Sequence, residues 1–558
     1  MTNGYYEPRI LEDPTLKNDK QYADATLDKQ HASQPRQAAS SQTFPDLYEA
    51  SIAELQSGLE KGLFTSVDLV KAYFARIEEV NLNGPALRAV IETNPSALKQ
   101  AKALDLERRT HGPRGPLHGI PILLKDNIAT LHSEGMNTTA GSFALLGSVV
   151  PRDAGVAARL RAAGAIILGK ANLSEWANFR GSVPSGFSGR GGQSSSPYVP
   201  LGNPSGSSSG SGIATAIGLT AAALGSETDG SIVSPSSMNN LVGIKPTVGL
   251  TSRAGVIPIS SHQDTVGPMA RSVADAATIL TVIAGKDPLD NFTLAQPPVV
   301  PDYTKALKKN ALHGVRLGVA RQFAGSNAVV LAAFNASVEI MRGLGATIVD
   351  PADFPDFTEI RESGNETIVL DTDFKVDVNN YISGLLEVPT GVKDLADLIA
   401  FNTAHADQEL PPPFWTDQSI FIRSENTTQD QAYFDALAAD KDLGQTRGID
   451  ATLKQFNLDA LILPTSGAAG PAAIAGYPLV TVPLGFLPAN TTLSAATPTR
   501  ATGPNQPFGI SFMGTAFSEF QLISFAFAYE QATHNRLKQL AFAEAIPKTQ
   551  LQDVVGKK

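Results

Sequence analysis

The chain has 558 residues, 42% hydrophobic and 18% charged, with a formal net charge of −10 and no cysteine. That composition belongs to a globular protein with a large core and not to a disordered chain. A net negative charge gives it no electrostatic reason to bind nucleic acid or anionic membranes, and the lack of cysteine excludes disulfides, a thiolate nucleophile and zinc–sulfur sites.

Length alone suggests three or four domains, but large α/β enzymes exceed that spacing as single domains. Residues 1 to 45 are polar and read as a lead-in, beginning "MTNGYYEPRILEDPTLKNDK". That stretch has no apolar run, so it reads as neither a secretory signal nor a transit peptide. A cytoplasmic location is expected. Secretion is the alternative raised by seven Asn-x-Ser/Thr sequons, at Asn137, Asn172, Asn291, Asn335, Asn365, Asn426 and Asn490.

From "LYEASIAELQSGLEKGLFTSVDLVKAYFARIEEVN" the apolar residues recur at three and four positions, an amphipathic helical pattern with Thr65 or Ser66 as N-cap. "LHGIPILLKDNI" is a short apolar run bounded by Gly and Pro, a core strand. "VAARLRAAGAIILGKANL" reads as helix, glycine cap and strand, and this alternation predicts an α/β fold: a single large domain with a mixed central sheet covered by helices over 46 to 545. A Gly/Ser-rich loop over 181 to 212 opens onto "IATAIGLTAAALG" (213 to 225), which reads as a buried small-residue helix too short to span a membrane. Residues 290 to 450 read as a variable, mostly helical insertion. "LDALILPT" and "YPLVTVPLG" are strand-like, "FQLISFAFAYEQAT" is helical, and 546 to 558 form a C-terminal tail.

Three motifs mislead. "GAIILGKA" approximates a phosphate-binding loop, yet Ala171 stands where a hydroxyl would hold magnesium and "AIIL" is a strand, not a polar cradle. The eight histidines show no metal-ligand spacing, so no metal site and no cofactor are expected. "GSSSG" (206 to 210) fits the nucleophile elbow of α/β-hydrolases with Ser208 as nucleophile, but that elbow follows a strand, and "SPYVPLGNPS" with three prolines is a poor one.

"GNPSGSSSGSG" (202 to 212) places five serines and four glycines in eleven positions, and it leads into a buried segment followed by "ETDGSIVSP". A linker separates folded units; here glycine and serine suit a backbone held in tight conformations beside a reacting centre. Together with the upstream "GIPILLKDNI", this stretch resembles the amidase signature family. The resemblance implies a catalytic triad in which Ser231 of "DGS" is the nucleophile. Ser207, 24 positions earlier, is the bridging serine on a cis peptide bond, and Lys125 of "KDN" is the base. It further implies an oxyanion hole from the backbone N–H groups of Thr228, Asp229 and Gly230. Two positions depart from the family pattern: Asp229 replaces the first glycine of G-G-S, and Val233 replaces an arginine two residues after the nucleophile. "NLSEWANFRG", "SETDGS" and "QDTVGPMARSVADA" are most similar to the peptide amidase-like subgroup.

The chemistry can also be argued directly. Amide hydrolysis needs an activated nucleophile, a proton for the departing amine and a site for the oxyanion. With no cysteine, metal site or histidine dyad in prospect, a serine and a neutral lysine remain, and the apolar "PILL" before Lys125 suits a lysine neutralised by burial. The resulting expectation is a hydrolase that cleaves carboxylic amides through a Ser231 acyl-enzyme. Its substrates would be neutral primary amides, small-molecule amides or peptide C-terminal amides. The alternatives are an amidotransferase-type subunit that releases ammonia from glutamine, or an esterase or carbamate hydrolase with the same triad. Ser208 and Ser209 read as loop scaffolding, Asp126 and Asn127 as residues that orient the site, and Asp264 and Arg271 as structural contacts.

Overall fold

The computed structural model describes residues 44–557; the polar lead-in lies almost wholly outside them. The expected helical stretch at 47 to 81 is two helices, α1 (Ile52–Glu60) and α2 (Ser66–Val80). Each begins with a capping box, Ser51 with Glu54 and Thr65 with Asp68, in which side chain and backbone satisfy each other's free N–H groups. Gly62, at φ +64°, separates them. Leu55, Leu59, Leu69, Val70, Tyr73 and Ile77 form the apolar stripes that seat both helices on the core.

The core is built on an 11-stranded mixed sheet. Its strands are β1 (Val90–Thr93), β2 (Pro121–Lys125), β3 (Ile166–Ala171), β6 (Ala222–Glu227), β7 (Val242–Lys245), β8 (Thr265–Ala270), β9 (Arg316–Val319), β10 (Thr347–Val349), β11 (Ala460–Pro464), β12 (Leu479–Phe486) and β13 (Pro507–Met513). The short hairpin β4 (Phe187–Ser188) and β5 (Gly192–Gln193) stands apart. The spatial order is β1-β3-β2-β6-β8-β7-β12-β13-β11-β9-β10. Strands β3, β2 and β6 run parallel, so β2 and β6 end side by side at their carboxyl termini. Ligands of α/β sheets gather at such ends.

Two expectations need correction. The run 213 to 225 is not one helix: the helix Ser209–Ala216 stops, and the chain resumes as β6. Gly218 turns it at φ +69°, where an added Cβ would lie 2.0 Å from the Leu47 carbonyl oxygen. A short run of buried small residues carries no period that separates helix from strand. Residues 290 to 450 are largely helical but not merely an insertion. They supply β9 and β10, joined by a helix over Ala328–Gly343, which complete one edge of the sheet through parallel pairing of β9 with β11. The expected tail is packed: the buried Arg76 guanidinium donates to the Thr549 carbonyl at 2.6 Å, and Leu551 is fully buried. Asn172, one of the sequons, is also buried, its amide nitrogen donating to Ser194 Oγ at 2.9 Å, which leaves no room for a glycan.

Candidate active site

Lys125 is the last residue of β2, and four buried apolar residues bring it to the end of the strand. The register that sets Leu124 beside Leu224 puts Ser226, near the end of β6, within reach of its amine. Lys125 Nζ lies 2.8 Å from Ser207 Oγ, 2.9 Å from Ser226 Oγ and 3.1 Å from the Ser226 carbonyl oxygen. The last of these can only accept. Asn127 Nδ2 donates to Ser226 Oγ at 2.9 Å. An amine that donates one hydrogen to the carbonyl and one to Ser226 Oγ has its lone pair left for the Ser207 hydroxyl, so these contacts suit neutral lysine. Burial lowers Lys125 to about 7, against the opposing pull of Asp264 and then Glu227.

Ser207 is reached through a cis Gly206–Ser207 peptide bond, and its carbonyl accepts the Ser174 N–H at 3.0 Å. A Cβ on Gly206 would lie 2.4 Å from Ser174 Oγ, so the close approach of these two segments requires glycine. The Ser208 N–H donates to the Ser231 carbonyl at 3.2 Å, tying the Gly/Ser loop to the turn 228–231 that follows β6. Ser231, in that turn, is buried, with 7% of its surface exposed. Gly230 takes φ +85°, which only glycine adopts freely. Glu227 accepts the Ile232 and Val233 N–H groups at 2.6 and 2.8 Å and so fixes the chain just beyond Ser231.

The other singled-out residues fall into place around this centre. Ser208 Oγ donates to the Ser226 carbonyl at 3.1 Å, Ser209 Oγ to the Ser205 carbonyl at 2.6 Å, and no strand precedes this loop directly. Asp126 accepts from Thr139 Oγ1 at 2.6 Å and the Gly141 N–H at 2.9 Å. Asp264 accepts from Thr228 Oγ1 at 2.6 Å and from the Ile259 N–H at 2.8 Å, while burial raises it to about 6. Arg271 donates to the carbonyls of Thr215, Thr220 and Ala50. Lys170 of the apparent phosphate loop is enclosed in β3 and donates to the Ile128 carbonyl and Thr138 Oγ1. Val233, in the position of the family arginine, is fully buried.

Three participants went unmarked in the sequence. Ser226 holds the lysine, Glu227 braces the turn 228–231, and Ser174 packs against the cis bond. A polar pair, Ser-Glu, closing an otherwise apolar strand was the available signal for the first two.

A family model described as Amidase matches residues 68–523. The chain belongs to this family. A putative amidase of Arthroderma benhamiae is 42% identical over 537 residues, covering 92% of this chain and 90% of the relative. The crystal structure of native peptide amidase from Stenotrophomonas maltophilia superposes with a TM-score of 0.80 at 42% identity, covering 91% of this chain and 100% of that one. A glutamyl-tRNA(Gln) amidotransferase subunit of Chloroflexus aurantiacus is 40% identical over only 308 residues, 55% of this chain and 61% of the relative. The protein is therefore an amide-hydrolysing enzyme with the amidase fold. Among the described residues of this amidase, no helix is long and apolar enough to cross a membrane.

Proposed function

We propose that this amidase cleaves neutral primary amides, including the C-terminal amides of peptides, with Ser231 as nucleophile, Ser207 as proton bridge and Lys125 as base. The observation that carries the reading is the 2.8 Å contact between a buried lysine and the hydroxyl on the cis peptide. Neutral Lys125 accepts the Ser207 proton while Ser207 accepts the proton of Ser231. Ser231 Oγ attacks the carbonyl carbon, and the backbone N–H groups of Thr228, Asp229 and Gly230 stabilise the oxyanion. As the C–N bond breaks, the proton held by Lys125 passes through Ser207 to the leaving nitrogen, and ammonia or an amine departs. Water then attacks the acyl-enzyme, giving its proton to the same relay, and Ser231 is regenerated with release of the acid.

Neutral substrates are favoured because the buried Val233 offers no cation where a carboxylate beside the scissile bond would need one. Likeness to the Stenotrophomonas peptide amidase over nearly the whole chain supports peptide amides; likeness to the glutamyl-tRNA(Gln) amidotransferase protein stops at about half of it. The test is a panel of neutral primary amides, peptide amides, glutamine and esters, assayed for ammonia and acid. Peptide and simple amides should lead, and a glutamine kcat/KM equal to theirs would overturn the reading.

A further inference from the structure

Arg180 gathers one stretch of chain. Its fully buried guanidinium donates to the carbonyl oxygens of Glu409, of Trp415 at 2.5 Å and of Asp417 at 3.1 Å, and it pairs with the equally buried Glu175 carboxylate. The stretch it holds, 409–417, contains Pro411, Pro412 and Pro413, which have no N–H to donate. Such a strap is fastened through its carbonyls, and a guanidinium carries enough N–H donors to take several at once. The half-buried Trp415 makes a second fastening: its ring stacks on Phe187 at 4.7 Å, and its Nε1 donates to Gln193 Oε1 at 3.1 Å.

Both fastenings lead to the bridging serine. From Trp415, Gln193 Nε2 donates to the Ser185 carbonyl at 2.7 Å, and Ser185 Cβ lies 3.3 Å from the place a Cβ on Gly206 would take. From Arg180, the paired Glu175 directly follows Ser174. The Ser174 N–H donates to the Ser207 carbonyl at 3.0 Å, and its Oγ accepts the Gly186 N–H at 2.8 Å. Between Glu175 and Arg180, the residues Trp176, Ala177 and Asn178 take φ of 51°, 54° and 73°. Residues other than glycine hold that conformation only where their surroundings fix it, and the Arg180–Glu175 pair closes across this run. The strap is also tied at its start, where Glu409 Oε1 accepts from Ser142 Oγ at 3.0 Å and from the Phe143 N–H at 2.7 Å.

We propose that the strap 409–417 positions the bridging serine, with Arg180 and Trp415 as the positioning residues that transmit its grip to Ser207. The inference rests on the amide-hydrolase reading with Ser207 as proton bridge. In that reaction Ser207 works twice: it takes the proton of Ser231, and later it gives a proton to the leaving nitrogen. Each transfer needs hydrogen-bond distance at both ends, so a loosened strap weakens amide cleavage at two steps. Attack on a fluorophosphonate uses only the first. The Ser231 Oγ–P bond forms, the P–F bond breaks, fluoride leaves without a proton, and Lys125 keeps the one it received.

The test compares two rates at pH 8 in the wild type, Trp415→Leu and Arg180→Lys. One is kcat/KM for ammonia release from N-acetyl-leucinamide, counted per site that fluorophosphonate can label, so that unfolded enzyme drops out. The other is the second-order rate constant of the labelling itself. Trp415→Leu leaves the buried charges in place and should lower the amide-to-labelling ratio about threefold. Arg180→Lys offers three donors in place of five and should lower it at least about tenfold, chiefly through kcat. Trp415→Phe, which keeps the stacking, should recover part of the ratio. If Arg180→Lys does not fold, Trp415→Leu decides. A ratio within about twofold of wild type in every folded variant overturns the positioning role while leaving amide hydrolysis standing. A wild type that is labelled yet releases no ammonia overturns the hydrolase reading and this proposal with it.

Discussion

Lowering the pH from 8 to 6 with a neutral amide as substrate should cut kcat/KM about tenfold. In the proposed mechanism the working form of the base is unprotonated Lys125, which burial lowers to about 7. Its neutral fraction is then about ten-elevenths at pH 8 and about one-eleventh at pH 6, so the acid limb should have unit slope and level off above neutrality. The assay is ammonia release under kcat/KM conditions with a substrate that does not titrate in this window. Two variants identify the group. Asp264 is the first of the carboxylates that hold Lys125 up, so Asp264→Asn should move the limb to lower pH, by about half a unit. Lys125→Arg should lose at least about 10³ in kcat at every accessible pH, because a guanidinium has five N–H donors and no lone pair for the Ser207 hydroxyl. Near wild-type turnover in the arginine variant at neutral pH would refute the reasoning, since position 125 would then supply charge and not proton acceptance. A flat profile between pH 6 and 8 would refute it equally.

Ser231→Ala should abolish labelling by a fluorophosphonate probe, while Ser208→Ala retains it; mass spectrometry that finds the adduct on Ser208 would transfer the nucleophile to the elbow motif. The buried lysine also makes stability depend on pH. Its folded value near 7 lies below the unfolded 10.5, so the unfolded chain binds the extra proton between them and folding gains stability as pH rises through that window. In urea titrations the stability of Lys125→Met relative to wild type should therefore fall between pH 7 and 10, by an upper bound of about 4 kcal/mol. A difference independent of pH would show that Lys125 is not neutral in the folded protein.

The parts of this site visible in the sequence were those tied to local chain chemistry. Lys125 follows its own apolar strand, and Ser207 and Ser231 sit in runs whose glycines the backbone needs at Gly206 and Gly230. Ser226 escaped notice because its contact with Lys125 exists only through the parallel pairing of β2 with β6, which no local pattern encodes. The boundary between the helix Ser209–Ala216 and β6 was hidden for a related reason. Alanine and glycine serve a buried helix and a buried strand alike, and the turn at Gly218 is dictated by the Leu47 carbonyl from a distant part of the chain.

The way residues 290 to 450 are built into the sheet bears on how related enzymes could exchange parts. Deleting the whole region would take β9 with it and leave β11, an apolar strand of sequence ALILP, with a bare hydrogen-bonding edge. Such edges recruit other chains, and the shortened protein should aggregate. Cutting instead between β10 and β11 would keep that edge covered. The helices from Phe357 to Lys441 would then form a cassette. A chimera that receives another member's cassette would keep its own Lys125, Ser207 and Ser231, all of which lie outside the exchanged segment.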